Sequence, residues 1–397
     1  MNRWSEKKQK NRIKTQFGKN PMDMETWESL QLRMHEIEMY EQRRRKDSNQ
    51  EWVDDVTWND LEMDRVFARI NHTRTYMGEQ ILYYRFRGCK NRQELQRMEK
   101  RIAFFSCQES SRIKVEEKLS HIGKQKENYY LPLYDIVAFC HIEKALRKCR
   151  KETLQLYEFV GDVDTDIAIV SFRKSLKNWC SPMIQKSGSI RLEEICHPLM
   201  DDGVANSIEL QKGAIFTGAN ASGKSTFMKA VAINVILAQT IHTCVAKNVK
   251  MPTIKVMTSM ALRDDVVQKE SYYMREMEYL KRMLDEIEKG EPVLFVIDEI
   301  LKGTNTRERL GASKAILLYM AQKPGFLLVA THDLELVKAE EDLYETYYFD
   351  SQICGKDIIF PYKMKPGIAV RTNAIDLMEM MDFPKEITDK ARIVSAQ

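Results

Sequence analysis

Hydrophobic positions fall into two regimes along this 397-residue chain. From about residue 20 to 180 they recur at helical spacing. Met24–Arg45 has few breakers and carries Leu30, Met34, Ile37, Met39 and Tyr40. Leu61, Met63, Val66, Phe67 and Ile70 continue the theme, as does Leu95–Phe105, and Leu131–Phe159 can hold one or two long helices starting near Pro132. Apolar residues three and four apart share one helix face. None of these stretches shows the strict alternation of a half-buried strand. The pattern predicts an α-helical domain.

After about Ser181 short apolar runs rich in branched residues alternate with helical segments. Ala214–Thr217, Pro292–Ile297 and Phe326–Ala330 are predicted strands, and Phe227–Gln239, Ser271–Glu288 and Leu310–Gln322 predicted helices. Strands alternating with helices imply a largely parallel sheet covered by helices. Glu345–Phe349 and Asp357–Lys363 suggest an added hairpin or edge pair, and Pro384–Val394 a terminal helix. The expected fold class is α + α/β, a helical domain followed by a domain built on a mostly parallel sheet. The expected divisions are 1–50, 51–180 and 181–397.

Composition narrows the class. Hydrophobic residues at 43% and charged residues at 30% fit a soluble globular protein. The longest apolar run, Val231–Ile241, is interrupted by Asn234 and Gln239 and is too short to span a bilayer. No apolar stretch follows the Lys-rich N-terminus, so no secretory signal is expected. Cys89, Cys107, Cys140, Cys149, Cys180, Cys196, Cys244 and Cys354 form no CxxC pair. That spacing points to reduced thiols and a cytoplasmic protein. The net charge is only +4, but residues 1–20 hold Arg3, Lys7, Lys8, Lys10, Arg12, Lys14 and Lys19 against the single acid Glu6. Such an arm either pairs with phosphates by counterion release or is a solvated, disordered tail.

One motif carries chemistry. Gly218, Ala219, Asn220, Ala221, Ser222, Gly223, Lys224, Ser225 and Thr226 fit GxxxxGK[ST] between a predicted strand and a predicted helix. Glycines let successive N–H groups face one anion, and the helix adds its positive end. Lys224 is placed to bridge the β- and γ-phosphates of ATP, and Ser225 to ligate Mg²⁺. Downstream, Val293–Ile297 ends in Asp298-Glu299. A carboxylate at such a strand tip can hold Mg²⁺ through water, and the next one can polarise an attacking water. A third strand ends in Thr331-His332, where His332 reads as a γ-phosphate sensor or an ordinary turn residue.

These motifs, in this order, resemble the ABC-type ATPases, and among them the MutS family. The likeness rests on Asn220 within the loop, on Asp298-Glu299-Ile300-Leu-Lys-Gly303-Thr304-Asn-Thr306, and on Ala330-Thr331-His332 followed by Glu335-Leu336. It also rests on Asp264-Asp265 and Ser271-Tyr-Tyr-Met-Arg-Glu-Met277. Cys196-His197-Pro198-Leu199 and Tyr362–Gly367 match flanking segments, while Trp58–Asp64 and Phe159–Asp164 look like parts of a helical core and lever. The similarity covers roughly residues 52–397. Ala219, Ala221 and Ser222 depart from the family's usual Pro, Met and Gly, and Leu301-Lys302 replace Gly-Arg.

The resemblance implies a helical core and lever domain ahead of an ABC-type ATPase domain. It implies Mg-ATP hydrolysis with Glu299, His332 and Lys224 as catalytic residues, and Mg²⁺ on Ser225 and Asp298. It implies a homodimer whose composite sites receive Ser271 from the other subunit, with Val204 as a candidate to stack on adenine. No Phe-x-Glu wedge occurs in the sequence, and neither a mismatch-reading domain nor a nuclease extension is expected. The expected role is therefore ATP-coupled binding of duplex or branched DNA without mismatch reading. The alternative is an ATP-driven switch acting on a protein partner.

Overall fold

The structure is a computed structural model. It describes residues 3–46, 53–123, 149–260, 272–301 and 305–395, apart from 24, 341, 355–356, 369–374, 376–377 and 380. Part of the predicted helix Leu131–Phe159 lies outside these residues. The chain divides into two compact units. One comprises Met1–Trp52, Asp64–Trp179 and Leu237–Thr243, and the other Val53–Met63, Cys180–Ile236 and Cys244–Gln397.

The first unit is helical. Its elements include α1 (Arg3–Gln16), α2 (Trp27–Gln31) and α3 (Met34–Arg45). After α4 (Asp55–Asp60), which clusters with the second unit, come α5 (Met63–Ile70), α6 (Tyr76–Arg87), α7 (Arg92–Cys107), α8 (Glu109–Ile122) and α9 (Arg150–Ser175). Thr75 caps α6 by accepting from Gly78 N, and Asn91 and Glu94 form a capping box on α7. Phe67 packs edge-on against Tyr83 and Phe86, with ring centroids 5.3 and 6.2 Å away. The buried Asp164 carboxylate of α9 accepts from Arg74 N, Thr75 N and Thr75 Oγ1 at 2.7–3.0 Å, joining α9 to the start of α6.

Two expectations change here. Met24–Arg45 is two helices, because Arg33 is drawn aside to Glu25 and Glu79 and the chain turns there before α3. The basic arm is a helix with a packed face rather than a disordered tail. Ile13 is buried, Arg112 lies over the Phe17 ring at 3.3 Å, and Gly18 N donates to Ser171 Oγ at 2.9 Å. Lys7, Lys8, Lys10, Arg12, Lys14 and Lys19 remain exposed.

The second unit is built on two sheets. A six-stranded sheet runs β12-β9-β4-β8-β7-β6. Its strands are β4 (Gly213–Gly218), β6 (Lys255–Ser259), β7 (Val293–Asp298), β8 (Gly325–Ala330), β9 (Glu345–Phe349) and β12 (Met364–Pro366). All neighbours are parallel except β12, which is antiparallel to β9. The strand predicted over Asp357–Lys363 is shorter: Asp357–Ile359 (β11) pairs with Gln352–Cys354 (β10), and the edge partner of β9 is Met364–Pro366. A four-stranded sheet, β1-β5-β2-β3, has no counterpart among the predicted elements. It is made of Met183–Gln185 (β1), Ile190–Ile195 (β2), Asn206–Leu210 (β3) and Asn248–Pro252 (β5).

Helices cover the six-stranded sheet: α10 (Lys224–Thr240), α11 (Tyr272–Ile287), α12 (Thr306–Ala321) and α13 (Leu334–Glu340), with α14 (Lys385–Ser395) near the C-terminus. On α11 the buried positions are Glu276, Leu280, Met283 and Ile287. The apolar spacing of Tyr273, Met277, Leu280, Leu284 and Ile287 predicts one buried stripe along this helix, but Met277 is 40% exposed. Leu280 and Ile287 are buried as that spacing predicts, and the buried stripe passes through Glu276 and Met283 rather than Met277. Val53–Met63, expected with the helical domain, belongs to this unit for a physical reason. Asp60 Oδ2 accepts from Thr258 Oγ1 and Met260 N at 2.6 and 3.0 Å, and Asp54 pairs with Arg282. Among the described residues no helix is long and apolar enough to cross a membrane.

An ion pair in the helical unit sets an acid limit. Burial alone would raise the pKa of Glu99, but hydrogen bonds from Arg173 (2.7 and 2.9 Å) and His242 (3.0 Å) outweigh it and hold the carboxylate at about 2. A carboxylate depressed in the folded state contributes stability that is complete above its unfolded value of 4.5 and is lost as pH falls toward 2. Urea unfolding followed between pH 6 and 3 should show the midpoint of Glu99→Gln falling less with acid than that of the wild type. Parallel curves would refute the assignment.

Candidate functional site

The loop between β4 and α10 makes the site. Gly218 leaves the strand at φ 136°, Ala221 sits in the left-handed region at φ 62° and Gly223 at φ 105°. A Cβ on Gly218 would lie 2.4 Å from Phe349 O of the neighbouring strand, so this position needs glycine on space as well as on φ. Ala221 takes the left-handed conformation with a Cβ, at a cost of about 1–2 kcal/mol. Lys224, only 6% exposed, folds back to donate from Nζ to Gly218 O at 2.8 Å and Ala219 O at 2.9 Å. Its cation therefore sits at the mouth of the loop. Ser225 and Thr226 follow in the first turn of α10, whose N-terminus adds backbone donors there.

Two further strand tips reach the same place. Asp298 ends β7, and Glu299 follows at φ 65°, with its N donating to Ala330 O at 3.0 Å. Glu299 and Leu301 (φ 58°) are both non-glycine residues in the left-handed region, a local strain that packing must sustain. His332 follows β8, its Nε2 3.4 Å from Glu299 Oε1. Thr331 is buried and donates its N to Phe216 O at 3.0 Å. Together these segments line a cleft of about 500 Å³ that holds Asn220 to Thr226, Asp298, Glu299 and His332.

The rest of the cleft wall is less polar. Val204 (37% exposed) and Tyr362 (45% exposed) line it, with His197, Met200 and Phe349. Asn206 ties the two sides of this wall together. Its Nδ2 donates to Tyr362 O at 2.9 Å and Val204 O at 3.3 Å, and its Oδ1 accepts from Met364 N at 2.9 Å. Burial, with Lys229 nearby adding to it, pushes the His197 pKa down to about 4, so this ring is neutral at pH 7.

The sequence-derived residues Gly218 to Thr226, Asp298, Glu299, His332 and Val204 thus come together. Ser271, Asp264, Asp265, Gly303 and Thr304 lie outside the described residues. Sequence reasoning did not single out Tyr362, His197 or Asn206 as site residues. An aromatic at the start of the flanking segment Tyr362–Gly367 was the available signal for the first.

The family model for MutS domain V matches residues 214–397. The chain is 27% identical over 263 residues to the DNA mismatch repair protein MutS of Aquifex pyrophilus, covering 62% of this chain and 30% of that protein. It is 31% identical over 225 residues to the MutS of Natronomonas pharaonis, covering 54% and 26%. It is 26% identical over 269 residues to the MutS of Lysinibacillus sphaericus, covering 64% and 31%. The matched part thus spans less than a third of the length of these relatives.

Gly218→Ala should destabilise the second unit by at least about 2 kcal/mol, since it combines a strained φ with a backbone clash. Denaturant unfolding of the full chain, followed by a probe in this unit, measures it; an unchanged midpoint would mean that the loop adopts another path.

Proposed function

The chain belongs to the MutS family, and on that premise we propose that it is an ATPase whose nucleotide site is the cleft at Gly218–Thr226. The observation that carries this reading is convergence. Separate stretches of sequence bring a cation (Lys224), a hydroxyl (Ser225), two carboxylates (Asp298 and Glu299) and an imidazole (His332) to one cleft of nucleotide size.

The residues present fit Mg-ATP. The turn leaves no space for a side chain at Gly218, and backbone N–H groups with the start of α10 offer donors to phosphate oxygens. Lys224 exchanges its two carbonyl partners for the β- and γ-phosphates, and Tyr362 with Val204 forms the wall against which adenine packs. Ser225 and Asp298 hold Mg²⁺, which neutralises phosphate charge when bound. Glu299 accepts a proton from the attacking water, and His332 orients that water or the γ-phosphate.

A loop of this kind encloses phosphates from one side. A second copy of the chain closes the other, with Ser271 supplying a hydroxyl to the partner's nucleotide and excluding water. In this reading the helical unit is the lever that nucleotide-driven closure moves. It engages duplex DNA through the exposed cations of α1, without reading mismatches.

Lys224→Ala should abolish ATP binding, and Glu299→Gln should keep binding while blocking turnover. Fluorescent-nucleotide titration and phosphate release separate the two. Mixing Lys224→Ala with Ser271→Ala chains should recover activity, because each heterodimer regains one intact composite site. Wild-type turnover in Glu299→Gln would remove the base assignment, and activity that only averages the parents would remove the shared site.

The DNA reading makes a separate prediction. Because α1 is packed through Ile13, replacement of exposed Lys7, Lys8, Arg12 and Lys14 by Ala tests charge without removing the helix. The slope of log affinity against log salt should flatten by about two to three, at just under one unit for each phosphate no longer neutralised. Matched and G·T duplexes should bind alike. A marked mismatch preference would sink the non-reading mode, and no binding at low salt would favour a protein partner instead.

A further inference from the structure

Beside the cleft, but outside its lining, lies an ion pair built with unusual care. Arg309, in the first turn of α12, meets Asp333 with two parallel bonds: Nε to Oδ2 at 3.0 Å and Nη2 to Oδ1 at 2.8 Å. Both side chains are about three-quarters shielded from solvent. A planar guanidinium matched fork to fork with a carboxylate fixes orientation as well as distance.

Its position matters more than its strength. Asp333 follows His332 directly. On the other side of His332, Thr331 is fixed to the central sheet through its N on Phe216 O at 3.0 Å. Thr331 Oγ1 also accepts from Asp333 N at 3.0 Å, closing the turn, and Asp333 O accepts from Leu336 N and Val337 N at 3.1 and 3.3 Å to start α13. His332 is thus the exposed residue of a turn whose two neighbours are both anchored. One anchor is the strand that leads into the phosphate loop. The other is Arg309, on the helix that follows Asp298-Glu299 and is capped by Asn305.

We propose that Arg309 is a positioning residue for ATP hydrolysis: through Asp333 it holds the His332 imidazole against Glu299 and the γ-phosphate position. The inference rests on the ATPase reading. Arg309 does not touch the reacting atoms, since neither it nor Asp333 lines the cleft. Loss of the clamp leaves nucleotide binding intact, because Lys224 and the loop backbone are held by other contacts. It loosens the geometry at the moment of reaction, and displacements of about 1 Å at such a group can cost on the order of a hundredfold in rate.

The test uses the full chain and measures kcat, KM for ATP, nucleotide affinity and melting temperature together. Arg309→Ala and Asp333→Asn should each lower kcat by roughly ten- to a hundredfold, with KM and nucleotide affinity held within about twofold. Arg309→Lys, which keeps the charge but not the fork, should fall between Arg309→Ala and wild type. The double exchange Arg309→Asp with Asp333→Arg should recover most of the lost rate. A purely structural pair would instead lower the melting temperature and leave kcat alone, and that result overturns the proposal. So does loss of nucleotide affinity in step with kcat, or a wild-type kcat in His332→Ala. If Lys224→Ala is inactive while Arg309→Ala turns over normally, only this inference fails. If the wild type shows no ATP turnover, the ATPase reading and this inference fail together.

Discussion

At Gly218 the chain leaves the centre of the six-stranded sheet and begins to curl toward α10, and there is no room for a side chain at that point. The carbonyl of Phe349 on β9 occupies the space a Cβ would need. That one steric constraint shapes the whole cleft. It lets the 219–223 backbone turn inward instead of continuing the strand. It sets the start of α10 so that Lys224 and Ser225 face the same hollow, and it brings Tyr362 beside Gly223, where a Cβ would come within 3.0 Å of the ring. Parallel pairing of β4 with β8, and of β8 with β7, then aligns the strand tips, so that Asp298 and His332 arrive at the level of the loop.

Charge and strain are distributed unevenly around this hollow. The cation of Lys224 is satisfied by backbone carbonyls, while Glu299 is displayed on a left-handed backbone that a longer strand would not permit. A regular extension of β7 would have sent successive side chains to opposite faces. The left-handed residue instead turns Glu299 out of that alternation, and its N–H is satisfied across the sheet by Ala330 O. The stress is small on the scale of the buried strand Val293–Ile297 that supports it.

How far the sequence could be read depended on how local the signal was. The strands and helices around the 218–226 loop were legible because each is bounded by its own chemistry: glycine at 218, acids at 298 and 299, histidine at 332. The four-stranded sheet was not. β1 has three residues, and β2 alternates for only part of its length before a register shift between Leu192 and Ile195. The alternation in Asn206–Leu210 was present but brief. Tyr362 stood out as part of a flanking segment yet not as a wall of the cleft, because Asn206, which holds it there, is 156 residues away in sequence. Long-range contacts of that kind leave no periodicity to read. The split of Met24–Arg45 likewise involves a tertiary partner of Arg33, Glu79, which local pattern cannot include.

The placement of β4 also has a consequence for biogenesis. This strand lies between β8 and β9, and both partners come more than a hundred residues later in the chain. During synthesis, Gly213–Gly218 therefore emerges with both edges unpaired and with a run of apolar side chains that only later elements bury. Its hydrogen-bonding groups stay open for the time taken to make all of β8 and β9, and an open apolar strand is a template for pairing with other nascent chains. The same topology that centres the 218–226 loop in the finished sheet makes it one of the last places to become secure.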